Sequence, residues 1–236
     1  MAATSDNKII LYTNHRCPWA HRAHIILSEL NIPFEEVIID LDRPRDPWYL
    51  EINPRGLVPS ISYNGVILTE SGIISQFLAD ENPSELLPAS NAPGGALKRA
   101  QINFFVDTLF SKTQGILFKL GTVTSEAVLE KLSGEYVAAV AKEVEPLLKD
   151  AAPFFGGSKK LTLAEVLSGS FLIRILTLSS AGVYPASIVS GLKEKTPNFY
   201  KWAEAVSAHP SVTNIFDKDV IIEGTKTRLQ KQRSQI

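Results

Sequence analysis

The first 80 residues alternate between strand-like and helix-like patterns of apolar positions. Residues 9–12 form a short β-branched and aromatic run that predicts a strand, and residues 18–31 carry apolar side chains at helical spacing. Residues 34–40 predict a second strand. A strand, a helix and a strand in this order favour parallel pairing of the two strands.

The rest of this region predicts a hairpin and a helix. After a polar, proline-rich and irregular stretch, residues 60–63 and 66–68 flank Asn64-Gly65, the strongest short signal for a β-hairpin. Residues 71–79 then have a helical pattern. The order β-α-β, irregular segment, β-β-α is that of a thioredoxin-like fold.

Strand patterns disappear in the second part of the chain. Residues 81–95 are rich in Pro, Asn, Ser and Gly and predict a linker. We therefore expect a thioredoxin-like domain at residues 1–80 and an all-helical domain at 96–236. The predicted helices of that domain span residues 96–121, 125–150, 162–181, 186–194 and 197–208.

Two features of the helical domain are predicted to be structural. Thr162 and Glu165 have the spacing of a capping box in front of an apolar helix. In such a box the threonine hydroxyl accepts from the backbone N–H of the third helical residue, and the glutamate carboxylate accepts from the backbone N–H of the threonine. The basic and polar residues 226–236 are predicted to be a solvated end of the chain.

The composition indicates which classes of partner and which cellular compartment to expect. The chain is 44% hydrophobic and 21% charged, as in soluble globular proteins, and its net charge of −1 favours neither nucleic acid nor anionic membrane as a partner. Small molecules or proteins are expected instead. The start of the chain, residues 1–8, is polar and unlike a signal peptide, and no apolar stretch reaches about 18 residues. These features predict a cytoplasmic protein.

The metal-ligating residues and the cysteine content give no sign of a metal cofactor. A single cysteine excludes an internal disulfide framework and a structural zinc site built on cysteine, and it is compatible with a reducing compartment. No histidine and carboxylate pair has the spacing of metal ligands. The sequence therefore predicts no metal.

That single cysteine, Cys17, falls where the predicted first strand gives way to the predicted first helix. Pro18 suits the first helical position, which needs no backbone N–H, so Cys17 is expected to be the N-cap. The first-turn N–H groups and the helix dipole favour a thiolate there, and Arg16 and His21 add positive charge. A lone cysteine is usually a small buried apolar residue, but the proline and the polar surroundings favour a reactive thiol.

Several motifs together resemble the cytosolic glutathione transferases, most closely the cysteine-type omega class and related fungal enzymes. The resemblance spans most of the chain. The motifs are Cys17-Pro18-Trp19-Ala20-His21-Arg22, Asn53-Pro54-Arg55-Gly56-Leu57-Val58-Pro59, Glu70-Ser71, and Gly156-Gly157 leading into the capping box.

The resemblance implies a glutathione site in the N-terminal domain. Val58 and Pro59, through a cis peptide bond, would hold the cysteinyl part of glutathione, although an ordinary trans proline is the alternative from sequence alone. Glu70 and Ser71 would hold the γ-glutamyl end, and Ser71 is also expected to be a helix N-cap.

The glycine carboxylate of glutathione would need a cation. Arg43 and Arg45 both lie in the segment where omega-type enzymes place a lysine, and the sequence leaves the choice between them open. Either arginine is as readily explained as a solvated loop charge. Arg55 is assigned to a turn or to the surface.

Other residues have weaker assignments. Tyr12 lies where other transferase classes use a hydroxyl, but we assign it to the core or to a supporting role because Cys17 takes the catalytic position. Phe110, Phe118 and Arg174 are candidates for the second-substrate site, although such residues are more often core or surface. The resemblance also implies a homodimer.

Three functions are consistent with these features. The first is a glutathione-dependent thiol transferase in which Cys17 forms a mixed disulfide, with glutathionylated proteins, dehydroascorbate or an S-glutathionylated small molecule as substrates. The second is conjugation of glutathione to electrophiles or to intermediates of secondary metabolism. The third is a non-catalytic, glutathione-binding regulatory module.

Overall fold

The computed structural model describes residues 7–123 and 125–233, and it divides into two units between Ser84 and Glu85. Most of the predicted polar start, residues 1–8, and the last residues of the predicted tail lie outside the described residues. The thioredoxin-like first unit and the helical second unit confirm the predicted fold class.

A four-stranded sheet and three helices form the first unit. The strands lie in the order β2-β1-β3-β4, with β1 and β2 parallel and the other pairs antiparallel. The elements are β1 (Ile9–Thr13), α1 (Pro18–Glu29), β2 (Glu35–Ile38), α2 (Pro47–Ile52), β3 (Ser60–Tyr63), β4 (Val66–Thr69) and α3 (Ser71–Glu81).

The predicted hairpin between β3 and β4 is confirmed. Asn64 and Gly65 have φ values of 51° and 86°, the left-handed region that a two-residue hairpin turn requires. The resulting register pairs Tyr63 with Val66. The turn therefore fixes which face of β3 is buried against the helices.

Local backbone signals account for two differences from the predicted elements. Helix α1 ends at Glu29 rather than at residue 31, because Asn31 has a φ of 52° and cannot continue the helix. The segment predicted to be irregular contains the short helix α2, which begins at Pro47, a residue suited to a first helical turn.

The regular elements described in the second unit are helices. Its helices are α4 (Gly95–Leu109), α5 (Gly115–Leu120), α6 (Glu126–Ala139), α7 (Leu163–Ser180), α8 (Ser187–Lys195), α9 (Pro197–Ser207), α10 (Pro210–Thr213) and α11 (Lys218–Arg233). Two of the long predicted helices are interrupted by π-helical turns, at Phe110–Gln114 and at Val140–Val144. A 3₁₀ segment at Glu145–Leu148 follows the second turn, where Pro146 cannot donate a helical hydrogen bond.

The end of the chain corrects one prediction. Residues 226–236 were expected to be a solvated tail, but α11 extends to residue 233, and Leu229 is buried. Earlier in the helix, Ile221 and Ile222 form a cluster with Leu178 of α7. The many charged residues of α11 hide this apolar side in the sequence.

Helix α7 is the centre of the second unit. It is long and apolar enough to cross a membrane, contrary to the expectation of no such stretch, but 83% of its residues are buried inside the protein, as in a core helix. At Gly169 a β-carbon would lie 3.1 Å from Val206 and 3.0 Å from Val212, so the glycine permits close packing.

Candidate active site

Cys17 is the N-cap of α1, as predicted. Its backbone is extended (φ −80°, ψ 120°), Pro18 follows in the first turn, and the thiol is half-buried. The sulfur lies 3.8 Å from the carbonyl oxygen of Val58. The thiol therefore sits beside the backbone that precedes Pro59.

The turn that carries Cys17 is held by a buried asparagine. The Cys17 N–H donates to the Asn14 carbonyl at 3.0 Å, and the Asn14 side chain accepts from the Arg16 N–H and donates to the Ile39 carbonyl. These bonds fix the loop between β1 and α1 against the end of β2. The sequence analysis missed Asn14, although asparagine is a common turn residue of this kind.

Arg22 is a buried charge on α1. Its guanidinium donates to the Ser71 hydroxyl at 3.2 Å and lies 4.5 Å from the centre of the Trp19 ring. Burial lowers the pKa of Arg22, and the nearby Cys17 sulfur opposes that shift. Arg22 therefore links the thiol-bearing helix with the start of α3.

The two residues expected to add positive charge at the thiol have partners or surroundings of their own. Arg16 forms an ion pair with Asp42 at 2.6 Å, so a carboxylate already balances its charge. His21 is fully buried within α1. Arg22 interacts electrostatically with the Cys17 sulfur, which its place in the motif did not indicate.

The segment that ends in Pro59 is built on buried polar groups. The Val58–Pro59 peptide bond is cis. The Asn53 amide donates to the Leu57 carbonyl at 2.9 Å and to the Ser60 hydroxyl at 3.0 Å, and the Tyr49 hydroxyl donates to the same Leu57 carbonyl at 2.6 Å. Burial raises the pKa of Tyr49, which keeps it a donor.

The start of α3 brings Glu70 and Ser71 into the same unit. Ser71 was expected to be the N-cap, but it is the first helical residue and Glu70 is the cap, because φ at Glu70 is 70°. The Ser71 hydroxyl instead accepts from Arg22. The half-exposed Glu70 carboxylate forms an ion pair with Arg55, which the sequence analysis had assigned to a turn or to the surface.

Arg43 and Arg45 have different surroundings. The exposed Arg43 forms ion pairs with Asp40 and Asp46. Arg45 donates to three backbone carbonyls instead, those of Gly56, Asp40 and Arg43, at 2.7–2.9 Å. The backbone therefore fixes the guanidinium of Arg45, and these three carbonyl partners carry no net charge.

The residues with weaker assignments are distributed between the two units. Tyr12 is buried in a cluster with Ala20, Tyr49 and Val58. In the helical unit, the Phe110 ring packs edge-to-face against Phe171, and the buried Arg174 lies over Phe216 and donates to the Ser170 carbonyl. Phe118 is exposed on α5.

A second cluster of polar side chains joins the loop after β1, helix α1 and strand β2. His15, His24 and Glu36 bring three potential ligand atoms within 4.8 Å of one another. Their spacing in sequence gave no sign of this, because the contact depends on the pairing of β1 with β2, in which Glu36 lies opposite Leu11.

Known proteins are similar to this chain in sequence and in fold. Residues 16–81 match the family described as glutathione S-transferase, N-terminal domain. Protein LigF of Sphingobium sp. (strain NBRC 103272 / SYK-6) is 27% identical over 229 residues, covering 81% of this chain and 86% of LigF. Glutathione transferase omega-1 of Caenorhabditis elegans is 25% identical over 214 residues, covering 89% and 82% of the two chains.

Among solved structures, glutathione transferase Omega 1C from Trametes versicolor is similar over nearly the whole length. The TM-score is 0.81 at 26% identity, and the match covers 98% of this chain and 100% of that one.

Proposed function

Because residues 16–81 match the glutathione S-transferase N-terminal domain and the chain is similar to omega-class enzymes over most of its length, we propose that it is a glutathione-dependent thiol transferase with Cys17 as its nucleophile. One observation carries the proposal: the half-buried Cys17 sulfur lies at the N-terminus of α1 and 3.8 Å from the Val58 carbonyl. A hydroxyl at this place would donate a hydrogen bond to the glutathione thiolate, whereas a cysteine thiolate can attack a disulfide of glutathione and keep the glutathionyl group as a mixed disulfide. The residue type therefore decides the reaction class.

In the proposed cycle the Cys17 thiolate attacks the glutathione sulfur of a mixed disulfide. The bond between the two substrate sulfurs breaks, a disulfide between Cys17 and glutathione forms, and the substrate thiolate leaves and is protonated by water. The thiolate of a second glutathione then attacks the bound glutathione sulfur. This step regenerates the Cys17 thiolate and releases oxidised glutathione, so the single cysteine of the chain is sufficient.

We place glutathione along the backbone and helix starts of the first unit. The Val58 backbone would pair with the cysteinyl part, beside the Cys17 sulfur and before Pro59. The Glu70 carboxylate would bind the γ-glutamyl ammonium in competition with Arg55, and Ser71 with the first N–H groups of α3 would bind the carboxylate at that end.

Of the two arginines, Arg45 is the stronger candidate for the glycine carboxylate. Asp40 and Asp46 already balance the charge of Arg43, whereas Arg45 donates to neutral carbonyls and keeps its positive charge available. A fixed guanidinium also loses less entropy when it binds an anion. Arg45→Met should therefore raise the KM for glutathione more than Arg43→Met does.

The test is a pair of measurements on wild type and Cys17→Ser. After incubation with oxidised glutathione, the intact mass of wild type should increase by one glutathionyl group and that of the variant should not. Reduction of the mixed disulfide of glutathione and 2-mercaptoethanol should fall on the order of 10³-fold or more in the variant, because the nucleophile is lost. Tyr12→Phe is the matched control and should keep both the adduct and the turnover.

Two results would contradict the proposal. Glutathione binding without an adduct or Cys17-dependent turnover would point to a binding module. Strong conjugation of an aryl halide that survives Cys17→Ala would point to conjugation as the activity. We expect conjugation to be weak, since Cys17 offers no hydroxyl to stabilise the glutathione thiolate and becomes glutathionylated by oxidised glutathione.

We also propose a homodimer, in keeping with the family. Leu97 and Phe104 are seven residues apart on α4, which places them on one face, and they are 65% and 61% exposed. Light scattering should give the mass of two chains for wild type. A monomer is expected for Phe104→Glu, and an unchanged dimer would remove this face from the proposal.

A further inference from the structure

We propose that His15, His24 and Glu36 form a binding site for one divalent transition-metal ion of the zinc type. The site is separate from the proposed transferase chemistry, because it contains neither Cys17 nor a glutathione-binding residue. It lies between the loop that follows β1, helix α1 and strand β2.

The spacing of the ligand atoms suits such an ion. The Glu36 Oε1 lies 2.7 Å from the His15 Nε2 and 3.3 Å from the His24 Nε2, and all three atoms lie within 4.8 Å. Zinc at about 2.0–2.2 Å from nitrogen and oxygen ligands needs these atoms roughly 3.3 Å apart. Small rotations of the two exposed side chains, His15 and Glu36, are enough to reach that geometry.

The donor set has the chemistry that zinc prefers. Two imidazole nitrogens and one carboxylate oxygen are a known ligand combination for Zn²⁺, with the fourth position left to water. The buried His24 ring directs its Nε2 at the Glu36 carboxylate, 3.3 Å away. The Thr13 hydroxyl, 2.9 Å from the same nitrogen, would turn away or bind the ion's water.

The ligands are held in place by three different elements. His24 is buried and packs edge-on against the His15 ring at 5.1 Å and the Phe34 ring at 5.8 Å. Without an ion, a hydrogen bond of 2.7 Å joins the His15 Nε2 and the Glu36 Oε1. Metal binding at the His15 Nε2 would use the neutral tautomer that carries its proton on Nδ1.

The ion would also stabilise the turn that carries the nucleophile. His15 is two residues before Cys17, and the Cys17 N–H donates to the neighbouring Asn14 carbonyl. A metal bond from His15 to α1 and β2 would therefore fix the loop from both of its sides.

The experiment titrates Zn²⁺ into untagged, full-length protein that carries Cys17→Ser, so that the thiol cannot act as a ligand. Isothermal calorimetry should give one Zn²⁺ per chain. His15→Ala and Glu36→Gln should each lower the affinity for Zn²⁺ by about tenfold or more, since each variant removes or weakens a direct ligand of the ion. These two positions are exposed, and circular dichroism verifies that the variants fold.

Glu35→Gln is the matched control. It removes the same charge from the adjacent position of β2, whose side chain points to the opposite face of the strand, and its affinity should equal that of the parent. With Co²⁺ as the probe, a visible absorption band should be present in the parent and lost in His15→Ala. Absence of stoichiometric binding, or equal affinities of Glu36→Gln and Glu35→Gln, would overturn the site.

Discussion

Helices α1 and α7 begin in opposite ways. At α7 the Thr162 hydroxyl accepts from the Ala164 N–H, and the Glu165 carboxylate accepts from the Thr162 N–H in a complete capping box. At α1 the N-cap is Cys17, whose side chain makes no capping hydrogen bond. One helix start is closed by its own side chains, and the other leaves a sulfur beside the Val58 carbonyl.

The two helix starts also differ in their buried charged side chain, which is Glu165 at α7 and Arg22 at α1. Glu165 is fully buried and accepts four hydrogen bonds at 2.7–2.8 Å, from the N–H and hydroxyl of Thr162, the Phe155 N–H and the Trp202 indole. Arg22 joins its helix to Ser71 and influences the thiol. Other helices of this chain also lack side-chain caps, so an open start is not itself a site. What distinguishes α1 is the residue placed there and the cation near it.

The largest effect is expected at the closed start. Glu165→Gln should lower the free energy of unfolding by about 3–5 kcal/mol. The NH₂ group of the new amide would replace one carboxylate oxygen and face two buried hydrogen-bond donors. Urea denaturation monitored by tryptophan fluorescence measures the change.

Glu145→Gln is the control for that prediction. The Glu145 carboxylate also accepts from the backbone of a helix start, at Asn198 and Phe199, but it is only half-buried. A loss of about 1 kcal/mol is expected there. Equal losses at the two positions would mean that burial of Glu165 is not what makes the α7 start critical.

At α1, the stability should depend on pH through His24. Its pKa is about 4 in the folded chain and 6.5 as the ordinary value, so protons bind more readily to the unfolded chain. The contribution is fully present above pH 6.5 and is lost as the pH falls toward 4. The total is about 3 kcal/mol, since one pKa unit corresponds to about 1.4 kcal/mol.

Denaturation of chelator-treated protein between pH 7 and pH 4 tests this. In His24→Gln the slope over that range should be reduced, since no imidazole remains to be protonated. If the free energy of unfolding fell with pH in parallel for the variant and wild type, burial of His24 would not govern the acid stability of the chain.

Arg22 gives the next effect. Arg22→Met should cost about 2 kcal/mol, since it removes a charge-assisted hydrogen bond to Ser71 and a buried contact with the Trp19 ring. It should also slow formation of the glutathione adduct on Cys17, because a cation near the thiol is lost. Arg22→Lys keeps the charge, so it should retain the adduct rate better than the stability. Unchanged adduct rates in Arg22→Met would limit the residue to a structural role.

Much of the fold follows from local sequence. The hairpin is specified by Asn64 and Gly65, which tolerate positive φ, and Pro18 specifies where α1 begins. The π-helical turns and the extent of α11 could not be predicted in this way. The extent of α11 depends on the packing of Ile221 and Ile222 against Leu178 of α7 rather than on a local preference.

For the candidate site, motifs predict the residues but not the contacts that support them. Cys17, Val58 and Glu70 are predicted from motifs, whereas the bond from the Asn14 side chain to the Ile39 carbonyl joins segments 25 residues apart. The sequence equally gave no indication that Arg22 would reach Ser71, 49 residues away. Long-range polar contacts of this kind have no periodic pattern to reveal them.

The smallest effect concerns the motif that sequence predicted in full. Thr162→Ala should destabilise the chain by about 1 kcal/mol, because the Ala164 N–H and one oxygen of Glu165 each lose a hydroxyl partner. Thr162→Ser keeps the hydroxyl, so its free energy of unfolding should lie within a few tenths of a kcal/mol of that of wild type. Neither variant should alter formation of the glutathione adduct, which depends on the other helix start. An altered adduct rate in Thr162→Ala would show that the two helix starts, different as they are, are energetically coupled.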